Sequence, residues 1–295
     1  MFAAVTSVAL VGIDPCPVRV EVHVTGGKQQ FHLVGLPDTA IREAKERVRA
    51  ALLSSGYHFP SRCLTVNLAP AEIPKAGSAY DLPIALGVLA AAGLVPPAVT
   101  GVVALGELAL DGEVRPARGG LGAGIVAAAA GRPCLLPPGS AAEAVVVGDA
   151  EVRVVRTLAE AVAVALGEAV AVTPAALPPA PESPAADLAA VRGQPLARRA
   201  LEVAAAGGHH LLLVGPPGAG KTMLARCLPG ILPPLGANEA LQVARAWAAA
   251  GRPRPHPGEP PFRSPHHPAT AAAIVGGGSG MPVPGELTLA HARVR

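Results

Sequence analysis

Residues 18–24 (VRVEVHV) alternate apolar and polar side chains, the period of a strand with one buried face. The apolar stretch 1–13 before them predicts a first strand, Gly26-Gly27 a turn, and residues 31–34 the returning strand. Asp38 is placed to cap a helix whose stripe is Ile41, Ala44, Val48, Ala51 and Leu52, with Arg42, Glu43, Glu46 and Arg49 largely off it. Leu64, Val66 and Leu68 alternate again as a strand, and 81–92 reads as a buried helix. Residues 102–110 and 113–115 flank Asp111-Gly112 and predict a hairpin with a D-G turn. Segments 122–130, 134–136, 141–147, 152–155 and 158–166 continue the helix and strand signals, so residues 1–170 read as an α/β domain with a mixed sheet.

Five prolines among alanines between 171 and 186 exclude a helix or a central strand there and predict a semi-rigid linker. A second domain, 187–295, begins near Asp187. In it 196–206 reads as a helix, 210–214 as a short apolar strand, the segment from 222 to 228 as the opening of another helix, and 238–250 as a further one. The stretches around 233–234, 253–261 and 276–280 are loop-rich.

Composition narrows the class. Hydrophobic residues are 51% of 295, but aromatic ones only 2%, so the cores are built from Ala, Val and Leu. Charged residues are 15% and the net charge is +3, which by itself does not announce nucleic acid. Residues 82–106 carry no charge and are long enough to span a bilayer, but Pro96-Pro97 and several glycines interrupt them. A buried helix, a turn and a buried strand account for the run, and a cytoplasmic protein without a membrane segment is expected. Cys16, Cys63, Cys134 and Cys227 are widely spaced and read as reduced thiols.

The segment Gly215, Pro216, Pro217, Gly218, Ala219, Gly220, Lys221, Thr222 fits G-x-x-x-x-G-K-[ST] completely. Glycines let such a loop turn tightly and aim successive N–H groups inward, and a helix starting near Lys221 adds its positive end. Lysine occurs only at 28, 45, 75 and 221, which makes Lys221 in the motif telling. Its ammonium is expected on the β- and γ-phosphates of ATP, and the Thr222 hydroxyl on Mg²⁺. Hydrolysis needs an acid at the end of a second apolar strand. No Asp follows Asp187, and beyond the loop the carboxylates are Glu239, Glu259 and Glu286, none after such a strand. The residues therefore predict nucleotide binding and leave turnover unsupported.

Longer stretches resemble a family. Residues 187–235 (DLAAVRGQPLARRALEVAAAGGHHLLLVGPPGAGKTMLARCLPGILPPL), with PFRSPHH at 261–267, VGGG at 275–278 and PGELTLAH at 284–291, resemble the Mg-chelatase-like AAA+ ATPases of the ComM/YifB group. LVGLPDTAIREAKERVRAAL at 33–52, VNLAPAEIPKAGSAYDLPIALGVL at 66–89 and LGELALDGEVRPARG at 105–119 are similar to the domain that precedes the ATPase in that group. The resemblance implies a first domain with the ribosomal S5 domain 2-like fold shared with Lon-type proteases, followed by an AAA+ module that assembles as a hexamer. It implies Val191, Gly193 and Gln194 near the adenine, ATP and Mg²⁺ as cofactors, and DNA as a partner in branch migration during natural transformation. In the family a strand ending Asp-Glu, sensor residues, an arginine finger and a lid follow LAH. This sequence reads as truncated before them, with an incomplete AAA+ domain.

Three further readings compete. A Lon-type Ser–Lys dyad would place its nucleophile near Ser78, but Ala79 falls at the matching position and Gly122 where the lysine belongs. A metal-chelatase motor would need partner subunits, and the neighbouring His266 and His267 point apart on an extended chain. A catalytically inactive fragment is the third. Arg198 and Arg199 are candidate nucleic-acid contacts, with a solvated helix face as the alternative.

Overall fold

The computed structural model describes residues 1–174, 186–254, 258–278 and 282–292. Two compact units divide the chain, Met1–Leu177 and Pro178–Arg295. Most of the linker expected over 171–186 lies outside the described residues; of its start, Val172 pairs with Val154.

The first unit is an α/β fold. Its elements are β1 (Phe2–Val11), β2 (Asp14–Thr25), β3 (Gln30–Val34), α1 (Thr39–Arg42), α2 (Ala44–Ser54), β4 (Cys63–Ala69), α3 (Asp81–Ala91), β5 (Val103–Ala104), β6 (Glu107–Leu108), β7 (Val114–Arg115), α4 (Gly120–Ala130), β8 (Cys134–Leu136), α5 (Pro138–Ala144), β9 (Val152–Val154) and α6 (Leu158–Leu166). Seven strands form one sheet in the order β3-β4-β2-β1-β5-β8-β9. β1, β2 and β4 run antiparallel to their neighbours in that group, while β3–β4, β1–β5, β5–β8 and β8–β9 are parallel.

Helices cover both faces of this sheet. Side chains three apart on a strand point to opposite sides, and Val5 and Val8 of β1 meet different helices. A Cβ at Gly87 in α3 would fall 2.7 Å from Val22 Cγ2 and 3.8 Å from Val5 Cγ2. A Cβ at Gly122 in α4 would fall 3.1 Å from Leu10 Cδ2 and 3.5 Å from Val8 Cγ2. Glycine thus lets each helix lie close on the β-branched sheet surface. The charge-free stretch of the sequence resolves into α3, buried along its whole length, a 3₁₀ turn at Pro97–Thr100, and β5. Among the described residues no helix is long and apolar enough to cross a membrane.

Three sequence expectations for this unit are corrected. β3 does not return along β2; β4 lies between them and β3 pairs with β4 in parallel. Leu64, Val66 and Leu68 of β4 are fully buried and sit opposite Val24, Val22 and Val20, whereas no residue of β3 is fully buried. The more apolar strand takes the interior place and the other the edge. The helix expected after Asp38 is two helices, divided at Glu43, although Asp38 does cap the first by accepting from the Ile41 N–H at 2.9 Å. The hairpin closed at Asp111-Gly112 is only the pair β6–β7, because β5 belongs to the main sheet.

The second unit contains a 3₁₀ turn at Leu188–Ala190, then α7 (Pro195–Gly207), α8 (Lys221–Ile231), α9 (Ala237–Ala249), α10 (Ala271–Val275), β10 (Gly276–Gly277), β11 (Val283–Pro284) and α11 (Glu286–Leu289). Residues 210–214 do not form the expected strand. Leu212 and Val214 are 84% and 85% exposed, so the segment is not in a covered sheet interior. An apolar run becomes a strand only where a neighbour supplies ladder partners, and no described residue pairs with this one. The core of the unit is Leu188, Val191, Leu201, Leu224 and Cys227, with Leu213 packed against it. α10, β10, β11 and α11 were not read from the sequence, which offered only a loop-rich stretch there. Residues 255–257 and 279–280 of the loop-rich stretches lie outside the described residues.

Candidate nucleotide-binding site

α8 is amphipathic, and its buried side chains fix where its N-terminus points. Leu224 and Cys227, three apart, are 2% and 0% exposed against Leu188, Val191 and Leu201. Thr222 and Met223, on the preceding turn, are exposed. Burial, with the Asp187 charge adding, pushes the Cys227 thiol up, so it packs as a neutral side chain. The helix begins at Lys221, directly after Gly220.

The loop 215–220 enters this helix through two left-handed residues, Gly218 at φ +80° and Gly220 at φ +77°. Side chains there would strain the backbone. The Ala219 N–H donates to the Pro216 carbonyl at 3.3 Å, closing the turn. Lys221 folds back over the loop, its Nζ donating to the Gly215 carbonyl at 2.9 Å and the Pro216 carbonyl at 2.8 Å. An ammonium held only by two carbonyls, the N–H groups of a helix's first turn and an exposed hydroxyl are thereby gathered within one short segment, the donor set an anionic polyphosphate requires.

Val191 and Gln194 lie against the same region, with Gly193 between them in the chain. Val191 is 1% exposed in the core beneath α8. Gly193 has φ +71°, and the Gln194 Nε2 donates to the Ala219 carbonyl at 3.0 Å. The family resemblance implies Gln194 beside a base; the structure gives its amide a partner in the loop itself.

Arg199 pairs with Glu202 at 2.8 Å on an exposed helix face. His266 and His267 are exposed in a turn. In the first unit the Ser78 hydroxyl donates to the Glu107 carboxylate, while the Lys75 ammonium is buried and donates to the Pro70 carbonyl. Serine and lysine therefore address different partners, and no dyad forms between them.

One arrangement was not legible in advance. Glu286 accepts from Arg263, Nε at 2.5 Å and Nη2 at 2.7 Å, and lies 3.4 Å from Arg252 Nη1. Arg263 also stands over the Trp247 ring, 5.4 Å from its centroid, and the Trp247 Nε1 donates to the Leu289 carbonyl at 3.0 Å. This ties PFRSPHH to PGELTLAH, and β10–β11 pairing ties VGGG to the same segment. Their complementary charges were visible, but their separations of 23 and 34 residues gave no local signal.

Residues 20–140 match the family described as subunit ChlI of Mg-chelatase, and residues 187–294 the family described as magnesium chelatase, subunit ChlI. An uncharacterized protein of Mycobacterium tuberculosis strain H37Rv is 47% identical over 293 residues, covering 97% of this chain and 58% of its own length. The uncharacterized protein YifB of Salmonella typhimurium is 42% identical over 292 residues, covering 98% and 58%. The competence protein ComM of Haemophilus influenzae is 39% identical over 298 residues, again 98% and 58%. The chain thus spans 58% of the length of these three relatives.

Proposed function

Because the chain belongs to the ComM/YifB group of Mg-chelatase-like proteins, we propose that residues 187–295 are part of an AAA+ ATPase module that binds ATP with Mg²⁺ at 215–222. Residues 1–170 are its ribosomal S5 domain 2-like companion. The reading rests on Lys221 and Thr222 at the start of α8, after a loop turned by Gly218 and Gly220. Lys221 exchanges its two carbonyl partners for phosphate oxygens, and the first-turn N–H groups of α8 donate to the same anion. The exposed Thr222 hydroxyl is the ligand this chain offers to Mg²⁺. Bound Mg²⁺ supplies positive charge against the phosphate chain.

Binding and turnover separate on the carboxylates. Asp187 caps the 3₁₀ turn through the Ala189 N–H, Glu202 pairs with Arg199, Glu239 accepts from the Gly236 N–H, Glu286 is held by Arg263, and Glu259 is exposed in a bend that follows no strand. We therefore expect this chain alone to bind ATP without hydrolysing it. Calorimetry with Mg-ATP tests the site: Lys221→Ala should weaken binding roughly 10–100-fold, the size expected for charge-assisted hydrogen bonds. Equal affinity of the two proteins would sink the assignment, and steady Mg²⁺-dependent phosphate release would sink the separation.

The charge distribution favours a polyanionic partner for the second unit. Residues 187–295 carry eleven Lys and Arg against five Asp and Glu, while 1–186 carry thirteen against sixteen. With the printed name of the relative, a competence protein, this supports a role in DNA processing in competence; branch migration by a cytoplasmic hexamer is proposed on the family resemblance alone. Fluorescence anisotropy on forked DNA over a salt series tests it; no binding at low salt removes DNA as a partner of this chain. Light scattering with Mg-ATP present tests the hexamer.

A further inference from the structure

Gln194 sits in a left-handed conformation, φ +52° and ψ +50°, that few residues other than glycine adopt without support. Gly193 before it is also left-handed, at φ +71°. Gln194 stands at the N-terminal flank of α7, where polar side chains ordinarily cap the helix, yet its side chain makes no capping bond. Its amide reaches instead across 25 residues of sequence to the Ala219 carbonyl. The contact is close: a Cβ on Gly220 would lie 3.4 Å from the same Gln194 Nε2. Behind it, Val191 is locked in the core with Leu224 and Cys227 of α8. One short segment is therefore anchored under the helix and attached to the loop that precedes it. A backbone strain of this kind persists only where the surroundings enforce it.

We propose that Gln194 is a positioning residue for the phosphate loop and acts on the phosphate chain of any ligand there, independently of the base. The Ala219 carbonyl and the Gly220 N–H belong to one planar trans peptide and point in opposite directions. By holding the carbonyl, Gln194 fixes that N–H on the far side, away from itself, as a donor available to an anion. Losing the amide frees the peptide to rotate through the permissive glycine, so the cradle must be reordered on each binding event. The inference rests on the reading of 215–222 as a phosphate site, and the experiment separates the two.

The test measures affinities of the purified chain for Mg-ATP, Mg-GTP and inorganic tripolyphosphate, together with melting temperatures. Gln194→Glu keeps the reach and loses the donor. Gln194→Asn suits a left-handed backbone better but falls one methylene short. Both variants should bind every one of the three ligands about tenfold more weakly, the size of one hydrogen bond. Gln194→Asn should do so with its melting temperature kept or raised, which a merely structural role would not produce. A loss confined to ATP, with tripolyphosphate unaffected, would make Gln194 a base-reading residue and overturn the proposal, as would unchanged affinities. If the unsubstituted chain binds none of the three, the nucleotide site itself is wrong, and this inference falls with it.

Discussion

Arg47 grips Asp81 with two hydrogen bonds, Nε to Oδ2 at 2.6 Å and Nη2 to Oδ1 at 3.0 Å. The Asp81 side chain is 1% exposed and that of Arg47 19%. The same guanidinium donates to the Ala40 carbonyl, and Asp81 also accepts from the Leu108 N–H. The pair thereby joins α1, α2, α3 and β6. Removing one partner of a buried pair leaves the other uncompensated. Arg47→Met should lower the stability of the first unit by about 3 kcal/mol, read from urea denaturation, whereas exposed pairs such as Arg115–Glu113 should cost under about 1 kcal/mol.

The same carboxyl sets a pH dependence. Burial pushes Asp81 up to about 6 from 3.8, against the pull of Arg47 and of the Leu108 N–H, with the Glu107 charge adding to the rise. Between those two values the folded chain holds a proton that the unfolded chain has released. Stability should therefore fall as pH rises from about 4 to about 6 and show no further Asp81 contribution above that. Asp81→Asn should flatten this slope in denaturation measured across the window. Arg47→Met should carry the slope to higher pH, because the ionised form loses its counter-charge. A profile identical in all three proteins would mean that Asp81 titrates elsewhere.

Helix contacts in the first unit discriminate sharply between glycines. A Cβ at Gly120 in α4 would fall 2.2 Å from the Ser140 carbonyl oxygen of α5, a backbone atom that cannot step aside. Ser140 is itself pinned, its hydroxyl donating to the Ala117 carbonyl and accepting from the Ala117 N–H. Gly120→Ala should cost about 3 kcal/mol or more as overpacking forces the helices apart. Gly148, where a Cβ would meet nothing within 4 Å, should tolerate alanine within about 0.5 kcal/mol. Thermal denaturation of the two variants side by side checks this.

What the sequence made legible follows the range of each signal. The apolar stripe Ile41, Ala44, Val48, Ala51 and Leu52 is fully buried, and Asp38 caps where its residue type predicts, because both signals are local. The order of strands was not local: β3 follows β2 after a short turn, yet the more apolar β4 lies between them. Apolarity at 210–214 reports hydrophobicity and not pairing, which needs a neighbour the run cannot encode. In the candidate site, the loop residues and Lys221 were marked by spacing alone. The Gln194 contact with Ala219, 25 residues away, has no sequence signature.

Glu286 offers a local readout in the second unit. Its carboxyl is held below the ordinary range by hydrogen bonds from Arg263, with that charge and Arg252 adding. A carboxylate of this kind contributes stability above its unfolded value, near 4.5, that is lost as pH falls through its lower folded value. Arg263 touches the ring of Trp247, the sole tryptophan of the chain. Acidification below about pH 4.5 should therefore release Arg263 and shift the tryptophan emission before the first unit unfolds. Glu286→Gln should show the shifted emission already at pH 7, since a neutral amide cannot hold two guanidinium groups. Emission insensitive to both acid and substitution would show that Trp247 is fixed by its Leu289 bond alone, leaving the Arg263–Glu286 pair without influence on the ring.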